Sequence, residues 1–234
     1  FSMDQLFKYS GKIYSICQHI KKSKGIVLIY SQYINGGCVP LALALEEMGF
    51  IRSGGRSLFE KSKPRINPFT MKERIKSTDP IASYVMITGD IKLSPRNKQE
   101  IDLCTNENNI NGEKVKVIII SKAGSEGLDF KNIRQVHILE PWYNLNRIEQ
   151  IIGRAVRFCS HIKLPFEERN TEIYLYGTRL TNNIESADLY VYRLAEKKAI
   201  QISVVARVLK ENAVDCLLNK GQIDLSSENL NQKI

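Results

Sequence analysis

The 234-residue chain has no apolar run long enough to cross a bilayer, and no charged-then-apolar leader opens it. A membrane partner and an exported product are therefore not expected. Its five cysteines (Cys17, Cys38, Cys104, Cys159, Cys216) are scattered and odd in number, none sits in a C-x-x-C pair, and its three histidines lie far apart. That argues against a disulfide framework and a zinc site, and leaves the reduced thiols of an intracellular protein as the expectation. Cys159 and His161 are near neighbours, but with no third ligand in register they read as structural, and no metal site is expected. Negative charge is also scarce. Twenty-five acidic residues against 34 Lys and Arg leave a net charge of +9. Such a balance favours a polyanionic partner, nucleic acid first, but it is weak support alone because many basic proteins are merely basic.

What the chain does have is an alternation of short apolar runs with amphipathic stretches. "GIVLIYS", "SYVMITGD", "VKVIII", "QVHILEP" and "EIYLYGT" read as strands, and the first and third lack a polar face. Residues 10–24 with Ser10 as N-cap, "VPLALALEEMGF" ended by Gly49, Pro95 to Cys104, and the stretch after "EPWYN" read as helices. Strands without a polar face, alternating with helices, predict an α/β fold with a parallel sheet wrapped by helices.

Two regions break that pattern. Between Phe50 and Ile81, Arg52, Arg56, Lys61, Lys63, Arg65, Lys72, Arg74 and Lys76 face only Glu60, Glu73 and Asp79. This basic insertion reads equally as a solvated loop or as a nucleic-acid contact. From Ile184 to Leu218 the chain is amphipathic without proline or glycine, as one bent helix or two, packed on its own domain or a neighbour. A polar tail follows. The expected division is therefore 1–183 and 184–234.

In an open parallel sheet, ligands gather beyond the carboxyl ends of the strands. The loops "YSQY", "TGD", "SKAGSEGLD" and "EPWYN" should share that edge. In "SKAGSEGLD", Gly124 and Gly127 let backbone N–H groups turn toward an anion, and Asp129 can accept hydrogen bonds from sugar hydroxyls. The next helix carries "EQIIGRAVR", residues 149–157. At about 100° per residue, Gln150, Gly153, Arg154 and Arg157 fall on one face, with Ile148, Ile151, Ile152, Ala155 and Val156 opposite. Gly153 costs such a helix about 1 kcal/mol relative to alanine and clears a gap between cations. Arginine offers a rigid fork of donors to phosphate oxygens. Alone, the stripe also fits a surface helix with solvated arginines.

Taken in order, "YSGKIYSICQHI…GIVLIYSQY", "TGD" with Arg96 downstream, "SKAGSEGLDF", "EPWYN" and "QIIGRAVR" resemble motifs IV to VI of superfamily 2 helicases, in the Swi/Snf branch, across about residues 9–180. "RAVRFCSH" and "LYVYRLAEKKAIQISVVARVLKENAVDCLLN" further resemble helicase-like ATPases of large DNA viruses, a group with poxvirus early-transcription ATPases and giant-virus and asfarvirus relatives. The resemblance implies a RecA-like parallel sheet flanked by helices with a C-terminal helical extension, and it implies ATP and Mg2+ as cofactors. It makes Arg154 and Arg157 the motif VI arginines, at least one an arginine finger. Gln150 would orient the γ-phosphate or the attacking water. Gly127, Asp129 and Gly153 would approach the nucleotide, with Asp129 at the ribose. Ser31, Thr88, Gly89, Ser121 and Lys122 would touch a nucleic-acid backbone, DNA ahead of RNA. The viral kinship implies transcription machinery as a partner, and the host cytoplasm or the virion as location. Trp142 reads as a core anchor under the sheet edge, and His137 as packed.

No G-x-x-x-x-G-K-[ST] occurs, and no DExH or DExD box. Gly11-Lys12 lacks the upstream glycine, the following Ser or Thr and a leading strand. The resemblance thus implies the second lobe of a two-lobed motor, inactive alone, whose N-terminal lobe would carry the phosphate loop and hold Mg2+. Two other readings stay open: a nucleic-acid-binding or scaffold domain that kept the fold without the activity, and the motor subunit of a restriction system. Intact Gln150, Arg154 and Arg157 favour an active motor.

Overall fold

The computed structural model describes residues 1–106, 108–122, 127–181, 184–215 and 217–218. Its centre is a six-stranded sheet, parallel throughout: β1 (Ile26–Tyr30), β2 (Ile51–Arg52), β3 (Ser83–Ile87), β4 (Val117–Ile120), β5 (Ile133–Ile138) and β6 (Glu172–Leu175), in the order β2-β3-β4-β1-β5-β6. The helices are α1 (Met3–Tyr9), α2 (Gly11–Lys22), α3 (Val39–Glu47), α4 (Asn97–Cys104), α5 (Leu145–Ala155) and α6 (Ala187–Glu211).

The continuous apolar runs have a direct cause. Every residue of β1, β3 and β4 is buried, and successive side chains enter opposite faces. Val27, Ile29, Tyr84, Met86, Val117 and Ile119 join the core formed with α2 and α3. Leu28, Tyr30, Val85, Ile87, Ile118 and Ile120 join the core that includes Ile148, Ile151 and Ala155 of α5. Truncating such a residue, Ile119→Ala for instance, is expected to cost about 2–5 kcal/mol.

Local signals set several ends. Ser10 caps α2, its hydroxyl accepting from the Ile13 N–H at 3.3 Å. Gly49, at φ +98°, ends α3, and its N–H donates to the Glu46 carbonyl at 3.0 Å. A π-helical turn over Ile34–Cys38, absent from the sequence reading, leads into α3.

The insertion departs from the expectation on two counts. Its first residues form β2, an edge strand paired with β3, so the sheet has one strand more than expected. It is also tethered. Glu46, 5% exposed, accepts from Ser57 Oγ (2.7 Å), the Leu58 and Phe59 N–H groups (2.9 and 3.0 Å) and Tyr84 Oη (2.7 Å). Burial alone would raise its pKa, but these bonds outweigh burial and hold it below the ordinary carboxylate value.

Among the described residues the C-terminal extension holds one helix, α6, capped by Ser186. Its first half docks on the domain through Ala195 and Tyr192. Beyond, Ile200, Val204, Val205, Val208 and Leu209 are exposed. No helix among the described residues is long and apolar enough to cross a membrane.

Candidate functional site at the carboxyl edge of the sheet

Parallel register brings the strand ends level. Tyr30 pairs with Ile120 and Ile138, and Ile87 with Ile120. The next N–H groups continue the ladders, Ser31 to Ile120 O, Ser121 to Ile87 O and Leu139 to Tyr30 O, at 3.2, 3.1 and 3.0 Å. The loops after β1, β3, β4 and β5 therefore share one edge, and α5 starts from it.

α5 rests on the core by Ile148, Ile151 and Ala155 and turns Gln150 outward. A Cβ placed on Gly153 would meet nothing within 4 Å, so the gap read from the sequence is open space beside the arginines. The half-buried Arg154 donates from Nη1 to the Leu128 carbonyl at 3.3 Å, and its own carbonyl accepts from the Phe130 N–H at 3.3 Å. Its Nε is buried without a hydrogen-bond partner among the described residues.

Arg157 is not on the helix. α5 stops at Ala155, and Val156 is extended (φ −104°, ψ 92°) and 48% exposed rather than on the apolar face. Phe130 takes the Arg154 carbonyl that one more helical turn would use, and Ser160 Oγ accepts from the Arg157 N–H at 3.3 Å. The Arg157 side chain nevertheless turns back, donating from Nε to Gly153 O at 2.9 Å and standing 3.4 Å from Asp129 Oδ1. Both members of that ion pair are about half exposed (42% and 53%), so the pair is loose. Gly127 adopts φ +73° with open space at its Cβ position. Gly124 lies outside the described residues. Arg154 and Arg157 thus converge on the Leu128–Asp129 segment from two backbone settings.

Other expected contacts divide. Gly89 and Lys122 are exposed. Ser31, Thr88 and Ser121, also expected at a nucleic-acid backbone, are buried, at 0%, 0% and 3%. Ser31 Oγ bonds Glu140 Oε1 at 2.8 Å, and Gly37 passes so closely that a Cβ there would lie 1.9 Å from it. Thr88 bonds Ser94 through its N–H (3.1 Å) and hydroxyl (2.9 Å). These hydroxyls shape the loops.

The helicase conserved C-terminal domain family matches residues 11–159, which include every one of these site residues. The chain belongs to that family. It is 31% identical over 223 residues to a protein named as a helicase from Invertebrate iridescent virus 3, covering 92% of this chain and 21% of that protein. It is 32% identical over 227 residues to one named as an ATP-dependent RNA helicase from Acanthamoeba polyphaga mimivirus (93% and 25%). It is 34% identical over 184 residues to a termination factor NPH-I homolog of African swine fever virus (71% and 26%). The chain spans about a quarter or less of the length of two of these relatives, the iridovirus and mimivirus proteins.

Sequence reasoning missed a polar cluster at the same edge of this helicase domain. Glu140 Oε2 accepts from the Gln32 N–H at 3.2 Å, so Glu140 holds the β1 loop through both oxygens. Burial raises its pKa, opposed by the bonds from Ser31 and Gln32 and by the charge of Lys12. Lys12, the lysine of the discarded Gly11-Lys12 pair, donates to Leu139 O at 3.3 Å and stands 2.5 Å from Asp188 Oδ2. It ties α2, β5 and α6 together. The acid of "EPWYN" was the available signal, but Lys12 had none.

Trp142 does not anchor the core. It is half-buried, with the Arg147 guanidinium 4.7 Å from its ring centroid. His137 is packed as expected, bonded to Tyr176 Oη at 2.8 Å and stacked on Tyr174. His161 lies between Ser160 Oγ and Ile133 O (2.8 and 2.7 Å), a structural arrangement. The described residues contain no cluster of three acids, histidines or cysteines fit to hold a metal. The residues present do fit a nucleotide's phosphates: two cations converge beside an open glycine, and a buried guanidinium nitrogen lacks a partner.

Proposed function

We propose that this domain is the C-terminal lobe of an ATP-dependent nucleic-acid translocase and completes an ATP site whose phosphate loop and Mg2+ ligands belong to an N-terminal lobe of the full-length protein. ATP would supply the driving phosphoryl transfer, with Mg2+ held by that other lobe. Arg154 and Arg157 bring fixed positive charge to the phosphate oxygens, where charge develops during transfer. Gln150, exposed one turn before Arg154, is placed to orient the terminal phosphate or a water. Asp129 holds Arg157 until phosphate competes for it, and meets the ribose afterward. Gly89 and Lys122 bear on the strand backbone, a mode with strong salt dependence and little sequence preference. DNA is the expected strand and RNA the comparison. The relative named as a termination factor suggests viral transcription as the setting, hence a viral factory or the virion as location.

The observation that carries this reading is the convergence of both guanidiniums on Leu128–Asp129 beside Gly153. Steady-state ATP hydrolysis by the full-length protein and its R154A and R157A variants, with melting curves as folding control, tests it. Expected is a loss of about 10^3-fold or more with a retained fold, and no turnover by the 234-residue chain alone. Undiminished hydrolysis in both variants overturns the roles given to these arginines, and a full-length protein that hydrolyses no ATP favours a scaffold role. Robust turnover by the chain alone overturns its dependence on a second lobe.

A further inference from the structure

The described cavities include one of about 660 Å³ between the β2 turn and the segment leading into α4. Its wall carries Arg52, Arg56, Lys92 and Arg96, and no acidic side chain lines it. Two glycines shape it. Gly54, at φ +80°, runs over Glu100, where a Cβ would come within 2.8 Å of that side chain. At Gly55 a Cβ would come within 2.6 Å of Arg52 Nε. Larger residues here would fill the space these side chains use.

One acid lies behind the wall, under Gly54. Glu100 is fully buried, and neither carboxylate oxygen has a hydrogen-bond partner among the described residues. Burial raises its pKa, and the Arg52 guanidinium opposes that shift. Arg52 in turn donates from Nη2 to the Leu93 carbonyl, joining the two walls. Glu100 and Arg52 act on each other by charge alone, since Arg52 Nε and both Glu100 oxygens are buried with no hydrogen-bond partner among the described residues. Arg56, Lys92 and Arg96 are exposed at the mouth, and none has a carboxylate within ion-pair distance among the described residues. The segment bearing Lys92 and Arg96 is fixed to the turn after β3, because Ser94 Oγ bonds Thr88. The pocket therefore adjoins the exposed Gly89, at the outer end of the same carboxyl edge.

We infer that this pocket seats a backbone phosphate of the bound nucleic-acid strand, extending its track beyond Gly89 across the β2–β3 end of the sheet. The inference rests on the translocase reading and gives the basic insertion a task. Three uncompensated cations around a cavity suit a phosphodiester, whose charge is spread over oxygens a guanidinium fork matches.

The test is binding of a labelled single-stranded oligonucleotide to the full-length protein without nucleotide, across a salt series, for wild type, R56A, K92A and R56A/K92A. Arg56 and Lys92 are exposed, so melting temperatures should not move. Expected is a slope of log K against log salt that is shallower in each single variant and shallower by about 0.7, one single-stranded phosphate contact, in the double. Pyrophosphate should compete only weakly. An unchanged slope in all three variants overturns the inference. So does pyrophosphate displacing the oligonucleotide at comparable concentration, which would mark a small-anion site. R157A separates the two proposals. Lost hydrolysis in R157A beside an unchanged slope in R56A/K92A sinks the pocket alone. Undiminished hydrolysis in R157A beside a shallower slope sinks the motor role of Arg157 and keeps the phosphate contact.

Discussion

Arg157, just past the end of α5, and Arg52, the last residue of β2, are held in contrasting ways. Arg157 leans on an exposed carboxylate 3.4 Å away and a backbone carbonyl. Arg52 is wedged beside Gly55 and tied to the Leu93 carbonyl, with the fully buried Glu100 nearby under Gly54. A charge that must meet a ligand only when a second lobe closes needs a resting partner it can leave. A charge that shapes a standing pocket needs a partner it keeps. Exposure of the counterion, more than the type of cation, separates the two.

The largest expected effect breaks this contrast at its mobile end. R157A should cut hydrolysis about 10^3-fold or more while barely altering thermal stability, because an exposed pair contributes about 0–1 kcal/mol. A large fall in melting temperature would make Arg157 structural. R52A should do the opposite and lower stability by about 1–3 kcal/mol, because the Leu93 carbonyl loses its donor and the buried Glu100 loses a nearby positive charge. R52A/E100Q should recover part of that in urea unfolding. A double variant as unstable as R52A would remove Glu100 from the explanation.

A smaller change sharpens the account of the insertion. E46Q weakens the acceptor held by Ser57, Leu58 and Phe59, at about 1–3 kcal/mol, and should speed proteolytic cleavage near those residues. Cleavage at the wild-type rate would mean that other contacts tether the loop.

The smallest effect concerns His137, far from either arginine. Burial, with a lesser push from His19, lowers its pKa from 6.5 to about 3. The unfolded chain then binds more protons than the folded one between those values, so stability is lost as pH falls through that window. From pH 6.5 to 5.5 the loss should be roughly 1 kcal/mol, and H137F should flatten it in thermal melts. An equally steep curve in H137F would assign the acid sensitivity elsewhere.

The strands were legible because burial on both faces writes itself as "IVLIY", "SYVMI" and "VIII". β2 was not, since two residues ahead of "SGGR" carry no period. Helical spacing placed Gln150, Gly153 and Arg154 on the helix, but ran on to Arg157 because the stop is tertiary: Phe130, distant in sequence, takes the Arg154 carbonyl. Ser31, Thr88 and Ser121 were placed at the right edge, but their burial was not legible, since a hydroxyl at a strand end looks alike whether a crossing loop covers it or not. Gly37 and Ser94 do the covering for Ser31 and Thr88.

A structure of the full-length protein with a non-hydrolysable ATP analogue and Mg2+ puts the main proposal to its most direct trial. The account predicts at least one of the Arg154 and Arg157 guanidiniums within hydrogen-bond reach, about 3 Å, of a terminal phosphate oxygen, with Arg157 released from Asp129. Both guanidiniums remaining on Leu128 and Asp129 beside a fully bound nucleotide in a closed cleft would contradict it.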